Sequence, residues 1–244
     1  MASRTLQKTV RRIVASLGDQ APSSAVSTSQ TIQVAVDAVN DAVADIYSRA
    51  KWPFRLKFCS IVMSGGCASY ALPDDFGEFQ LETISAPGSP GAPIKFSEYA
   101  DLMAAHPQWP IRSADNALNG YMPLDVIGDY AGAMFEASGV PAQFTEWNKT
   151  LMLWPPPSAE FAAAYQILWI PYYAHAPELI ADADILPLPQ NLWAACTYMA
   201  QSLLKQYLEY PDSQIDAARA ERMINTQLRR KSLVARRTLR FRVR

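Results

Sequence analysis

The chain has 244 residues, 50% of them hydrophobic and 18% charged, which supplies a sizeable core and argues against a disordered body. Its net charge of −1 hides a division: residues 1–221 carry 23 acidic and 13 basic side chains, a net of −10, whereas residues 222–244 carry nine basic side chains and no acid. Three scattered cysteines (Cys59, Cys67, Cys196), two distant histidines and the lack of a long apolar run argue against a disulfide scaffold, a zinc site and a membrane-spanning helix, and the thiols read as reduced.

In chain order, Leu6, Val10, Ile13, Val14 and Leu17 recur at helical spacing and Gly18 offers a C-cap, so a helix is predicted from Thr5 to Leu17. Its basic residues Arg4, Lys8, Arg11 and Arg12 read as a solvated face rather than a targeting presequence. Ile32, Val36, Val39, Val43, Ile46 and Ala50 predict a second amphipathic helix, capped near Ser27 to Ser29 and stopped at Trp52-Pro53, although the alternation of Ile32, Val34 and Val36 leaves a strand reading for its first turn.

Sixteen of the 18 prolines lie between Pro53 and Pro189, which rules out a mainly helical middle. Arg55 to Phe58 and Ala68 to Leu72, joined by Ser64-Gly65-Gly66, read as one hairpin, and Glu78 to Thr83 as a further strand. Phe96 to Ala105 suggests a short helix, Gln143 to Trp154 a hairpin turning at Asn148-Lys149, and Tyr165 to Tyr173 another strand. The sequon Asn148-Lys149-Thr150 is read as that turn. After Pro189, Leu192, Cys196, Met199, Leu203, Tyr207 and Tyr210 predict a helix, and Asp212 caps a last one with a thin stripe of Ile215, Ile224 and Leu228.

Catalytic motifs do not emerge. No Gly-x-Ser-x-Gly, phosphate-binding or dinucleotide-binding glycine pattern occurs, and glycine is absent after Gly139. His106 and His175 read as surface or interface residues and Asp74-Asp75 as a turn cap. Asp182 and Asp184 lack the remainder of a calcium loop and read as a turn, and six tryptophans, with few basic neighbours, read as core and subunit contacts.

Six segments, taken in order, resemble the tailed-phage head-to-tail adaptor (connector) proteins, including the tail tubular protein A type of short-tailed phages. They are the opening helix ending at Gly18, Asp41 to Phe54, Tyr70-Ala-Leu-Pro-Asp-Asp-Phe76, Leu151 to Pro157, Tyr165 to Tyr173, and Ala181 to Pro189 leading into a helix. The resemblance implies an α+β fold in which both chain ends form a helical bundle around an inserted β-rich sandwich or barrel-like domain. It also implies a virion protein assembled in the host cytoplasm as a ring, commonly of twelve copies, between portal and tail or nozzle proteins, with double-stranded DNA passing through, no enzymatic activity, no cofactor or metal and no membrane. The corresponding boundaries are residues 1–52 and 190–232 for the bundle, 53–189 for the insertion and 233–244 for an extended basic arm.

Two surfaces follow as expectations. The tail, with Arg229, Arg230, Lys231, Arg236, Arg237, Arg240, Arg242 and Arg244 and the alternating Leu239, Phe241 and Val243, is expected to be loosely held in the free subunit and to dock on the portal as an extended arm. Asp37, Asp41 and Asp45 share one helix face and are candidates for the channel wall. The alternative to an adaptor is a nonspecific nucleic-acid-binding protein using the basic tail, which the acidity of the body opposes; an enzyme with an unrecognised site is the third reading.

Overall fold

The computed structural model describes residues 4–18, 22–26, 29–86, 88, 93–106 and 138–241, with side chains as far as residue 230. In chain order its elements are α1 (Leu6–Ala15), α2 (Gln30–Ser48), β1 (Leu56–Val62), β2 (Ser69–Ala71), β3 (Phe76–Phe79), β4 (Thr83–Ile84), β5 (Ile94–Phe96), α3 (Tyr99–Ala105), β6 (Gln143–Trp147), β7 (Thr150–Trp154), α4 (Ala159–Ala164), β8 (Ile167–Ala174), α5 (Trp193–Tyr207) and α6 (Ser213–Phe241). They divide into two units, Met1–Arg55 with His175–Arg244, and Leu56–Ala174. The α+β class, with helices at both ends and a β-rich middle, is as expected.

In the helical unit, Leu6, Val10 and Ile13 of α1, Val39, Val43 and Ile46 of α2, Ala200 and Leu204 of α5 and Ile224 of α6 are fully buried in one core. The first turn of α2 is helical, which settles the strand alternative. Arg55, itself buried, closes the other end of α2 by donating from Nη1 to the carbonyls of Tyr47 (2.7 Å) and Ala50 (3.2 Å), a cation placed where the helix dipole favours it. The buried stripe of α5 differs from expectation. Ala195, Cys196, Ala200 and Leu204 face the core, Met199 and Leu203 flank it, and Tyr207 and Tyr210 are exposed, because small alanines fit closely packed helices better than tyrosines. Ile215, expected on the α6 stripe, is likewise exposed.

The stretch 175–189, placed in the insertion by its prolines, belongs instead to the helical unit. Leu179, Leu186 and Leu188 enter its core. Polar ties hold the irregular backbone between them: Asn40 Nδ2 donates to Leu179 O (3.1 Å) while its Oδ1 accepts from Leu179 N (2.9 Å), and Tyr47 Oη donates to Pro187 O (2.9 Å). An apolar stretch without regular structure needs such partners before it can be buried.

In the second unit a three-stranded sheet, ordered β1-β8-β3, and a five-stranded sheet, ordered β2-β7-β6-β5-β4, enclose Phe144, Leu151, Leu153, Leu168 and Ile170. Among the described residues the paired strands run antiparallel except β5 with β6. The β6-β7 hairpin turns at Asn148 (φ 49°) and Lys149 (φ 57°), a two-residue turn of the left-handed kind whose twist matches the strands, as the sequence predicts. The predicted β1-β2 hairpin does not form: β1 pairs with β8 and β2 with β7. The intervening Gly65 carries the chain from one sheet to the other against α4, where a Cβ would lie 2.7 Å from the Ala159 Cα. Helix α4 itself was not predicted; Ser158 caps it by accepting from Phe161 N (3.1 Å).

Candidate functional site

Of the three acids grouped on α2, Asp37 and Asp41 are exposed, on the face of the helix opposite Val39, Val43 and Ile46. Asp45 is engaged differently. Its Oδ2 accepts from Arg49 Nε (2.6 Å), and the same guanidinium reaches Glu221 of α6 (2.6 Å), so this carboxylate holds the arginine that ties the end of α2 to α6 rather than standing free. The hydrogen bond from Arg49 holds Glu221 below its ordinary value against the opposing effect of burial.

On the far side of α5 from α2 lies a second polar region. Ala194, Thr197, Tyr198, Gln201 and Lys205 of α5 floor a cleft of about 240 Å³, with Arg12 of α1, Ser16 just after it, and Asp216 and Arg219 of α6 along its sides. Lys205 and Asp216 are buried, and their ion pair (2.8 Å) is extended by Asp212 (2.5 Å) and, more loosely, by Arg219 (3.4 Å). Hydrogen bonds to Asp212 and Asp216 raise Lys205, and the bond from Lys205 lowers Asp212. Arg219 also lies over the Tyr198 ring, 5.8 Å from its centroid. Gln201 is only 7% exposed, yet among the described residues its amide has no hydrogen-bond partner. Sequence reading missed this region. Its one signal is the polar pair Gln201 and Lys205, spaced i, i+4 on the side of α5 away from the apolar stripe.

The basic C-terminus differs in conformation from the expected arm. Asn191 Nδ2 donates to Gln227 Oε1 (2.8 Å), which sets Gln227 level with the start of α5, and α6 then runs on through Phe241 for roughly 20 Å at 1.5 Å per residue. Residues 233–241, predicted as extended, are therefore helical, and the period of two on which the strand reading rested does not apply to them. Residues 231–241 contain neither glycine nor proline and are rich in Leu, Ala, Lys and Arg, so prolonging an existing helix costs less than holding a strand with no neighbour to pair with. Arg229 and Arg230 are exposed; Lys231, Arg236, Arg237, Leu239, Arg240 and Phe241 lie on the helical backbone. Arg242, Val243 and Arg244 lie outside the described residues.

In the β unit, one face of the β1-β8 pair exposes Phe58 (63%), Val62 (69%), Trp169 (49%) and Ile167 (41%), brought side by side by the register Ser60 to Trp169 and Val62 to Ile167. Contiguous apolar surface of this kind marks a contact waiting for a partner.

The residues considered for chemistry have structural positions. His106 ends α3 and packs on Trp154 (4.4 Å between centroids). Asp75 accepts from Lys57 Nζ (2.5 Å) and Tyr172 Oη (2.9 Å); burial alone would raise it, but these bonds hold it below its ordinary value. Asp182 and Asp184 cap backbone: Asp182 accepts from Ser24 Oγ (2.6 Å) and Ala25 N (2.5 Å), Asp184 from Ile180 N and Ala181 N (2.7 Å each). Burial pushes the Cys196 thiol up to about 12. Among the described residues no cluster of His, Cys, Asp or Glu could hold a metal ion, and no helix is long and apolar enough to cross a membrane.

Compared with known proteins, residues 1–244 match a family model described as SU10 adaptor protein. No curated protein matches the chain.

Proposed function

Because the chain belongs to the SU10 adaptor protein family, a phage adaptor type, we propose that it is the head-to-tail adaptor of a virion, a ring beneath the portal that continues the DNA channel toward the tail. The whole-chain family match carries this reading, and two features support it. The exposed apolar face of β1 and β8 suits a protein that functions in an assembly, and a continuous helix whose sequence from Arg222 onward is basic and without an acid suits attachment to a partner.

In this reading the basic end of α6, from Arg229 through Arg240 to Arg244 with Leu239, Phe241 and Val243, meets the portal protein. It docks as a helix as far as Phe241, with apolar residues anchoring it and guanidiniums setting orientation. The copy number of twelve and the likeness to the tail tubular protein A type rest on the order of segments quoted above. A net charge of −10 over residues 1–221 suits a channel along which DNA slides without adhering.

The test is electron microscopy of the full chain mixed with its portal protein. Rings stacked on the portal, lost when residues 229–244 are removed, are the expected result. A chain that stays unassembled with the portal but binds duplex DNA with a steep salt dependence would replace the adaptor by the nucleic-acid-binding alternative.

A further inference from the structure

The helical unit carries complementary charge on two opposite sides. On α2, Asp37 and Asp41 point away from the core, one helical turn apart and, among the described residues, without ion-pair partners. On α5 the core-facing residues Ala195, Ala200 and Leu204 look toward α2, while Tyr198, Gln201 and Lys205 look the other way into the cleft. The acidic pair and the cleft are therefore separated by the thickness of the α2-α5 layer and cannot meet within one copy.

The cleft itself is cationic. Lys205, Arg219 and Arg12 are set against Asp216 and Asp212; Lys205 takes up both acids, and Arg219 adds only the longer contact of 3.4 Å to Asp216. Arg12 is exposed, and among the described residues it has no acidic partner. Its charge reaches Arg4, whose pKa is lowered by burial and then by Arg12, so positive charge accumulates on this side of α1. Gln201 lines the cleft, and because it is not among the buried unpartnered side chains, which among the described residues are Ser69 and Thr145, its amide reaches solvent there and is open to an acceptor. Two cations and an amide donor around a small opening suit a carboxylate.

We propose that the α1-α5-α6 cleft of one copy receives Asp37 and Asp41 from α2 of a neighbouring copy, an ionic head-to-tail contact between subunits. This rests on the ring reading above and specifies one of its interfaces. Because the two surfaces differ and lie on opposite sides of the unit, each copy offers one and accepts the other, as a repeating heterologous contact requires. It also assigns the two acids to a subunit boundary instead of the channel wall.

The test uses the full chain, with ring formation measured by mass photometry and electron microscopy, alone and with the portal protein, and folding checked by circular dichroism. Reversing the acids (Asp37→Arg with Asp41→Arg) or the cleft (Arg12→Glu with Arg219→Glu) should each weaken assembly roughly ten-fold or more and leave the remainder less salt-sensitive. A chain carrying all four changes should recover most of the loss, since the charges are merely exchanged. Should Arg219→Glu disturb the Asp216 pair, Asp41→Arg against Arg12→Glu gives the same cycle with exposed positions only. Rings that survive reversal of the acids, a combined variant that stays as impaired as the worse parent, or a cleft reversal that blocks portal binding while rings persist would each overturn the proposal. Failure of the unaltered chain to form rings under any of these conditions would instead remove the ring reading beneath it.

Discussion

The two units solve the problem of burying polar backbone in different ways. The β unit is one continuous segment, and among its described residues the strands of two sheets bond chiefly to one another around a largely apolar core. The helical unit is built from both ends of the chain and contains the irregular stretch 175–189, which backbone bonds satisfy only in part, through the Thr5–Ile185 bridge and the start of α1. There the work passes to side chains, with Asn40 pairing both backbone groups of Leu179, Asp182 and Asp184 capping turns, and Lys205 and Arg49 joining α5 and α2 to α6. A fold closed by side-chain ties depends on their ionisation and geometry; one closed by ladders depends on strand packing and turn shape.

The strongest way to break this contrast is through the two cores. Phe144→Ala in the β unit should cost about 3 to 5 kcal/mol and Leu204→Ala in the helical unit about 2 to 5 kcal/mol, since both side chains are fully buried. If the units are separately cooperative, denaturation followed by hydrogen exchange should show each variant weakening its own unit and sparing the other. Equal loss of protection in both units from either variant would show a single cooperative structure.

Smaller effects sharpen the comparison. Asn40→Ala leaves the Leu179 N–H and C=O without their partner and should cost about 1 to 3 kcal/mol, seen as faster exchange of the Leu179 amide with β-strand amides unchanged. Gly65→Ala is its counterpart in the β unit. The new Cβ meets the Ala159 backbone, which cannot swing aside as a side chain could, so overpacking of about 1 to 3 kcal/mol is expected. A melting temperature unchanged by Gly65→Ala would mean that α4 shifts freely and does not fix the crossing between sheets.

Local features were legible in the sequence and distant pairings were not. Helices α1 and α2 follow from apolar spacing, and the β6-β7 hairpin follows from its alternation and the Asn148-Lys149 turn. The β1-β8 pairing joins Leu56 to Tyr173, residues more than a hundred positions apart, and nothing in either strand names the other. The face of α5 was misread because Ala195 and Ala200 carry little hydrophobic signal, although tight helix packing favours them. Proline content placed 175–189 in the wrong unit, since proline reports the lack of a helix and not the company a loop keeps. Of the candidate site, the exposed acids of α2 were visible by periodicity, whereas the cleft needs three helices from both ends of the chain to exist.

The smallest expected effect separates the units by pH. In the helical unit Asp182, Asp184, Asp212 and Glu221 all lie below their ordinary values, through bonds from Ser24, from the Ala181 and Ile180 N–H groups, from Lys205 and from Arg49; in the β unit Asp75 does so, its bonds from Lys57 and Tyr172 outweighing burial. A carboxylate whose folded pKa is depressed contributes stability that is present above its unfolded value and is lost as pH falls through the folded value, so the losses begin below about pH 4. Lys205, raised by Asp212 and Asp216, acts with the opposite sign: its contribution is complete below about pH 10.4 and fades as pH climbs through the raised value. Several of these carboxylates are solvent-exposed, so each contributes little, but four against one should still make acid loosen the helical unit first. Limited digestion with an acid-active protease near pH 3 should therefore cut earliest around residues 22–26 and 178–186, where Asp182 and Asp184 hold the backbone. Asp182→Asn should advance those cuts toward neutral pH. First cleavage within the β6-β7 hairpin would mean that the ladders, not the side-chain ties, are the weaker closure.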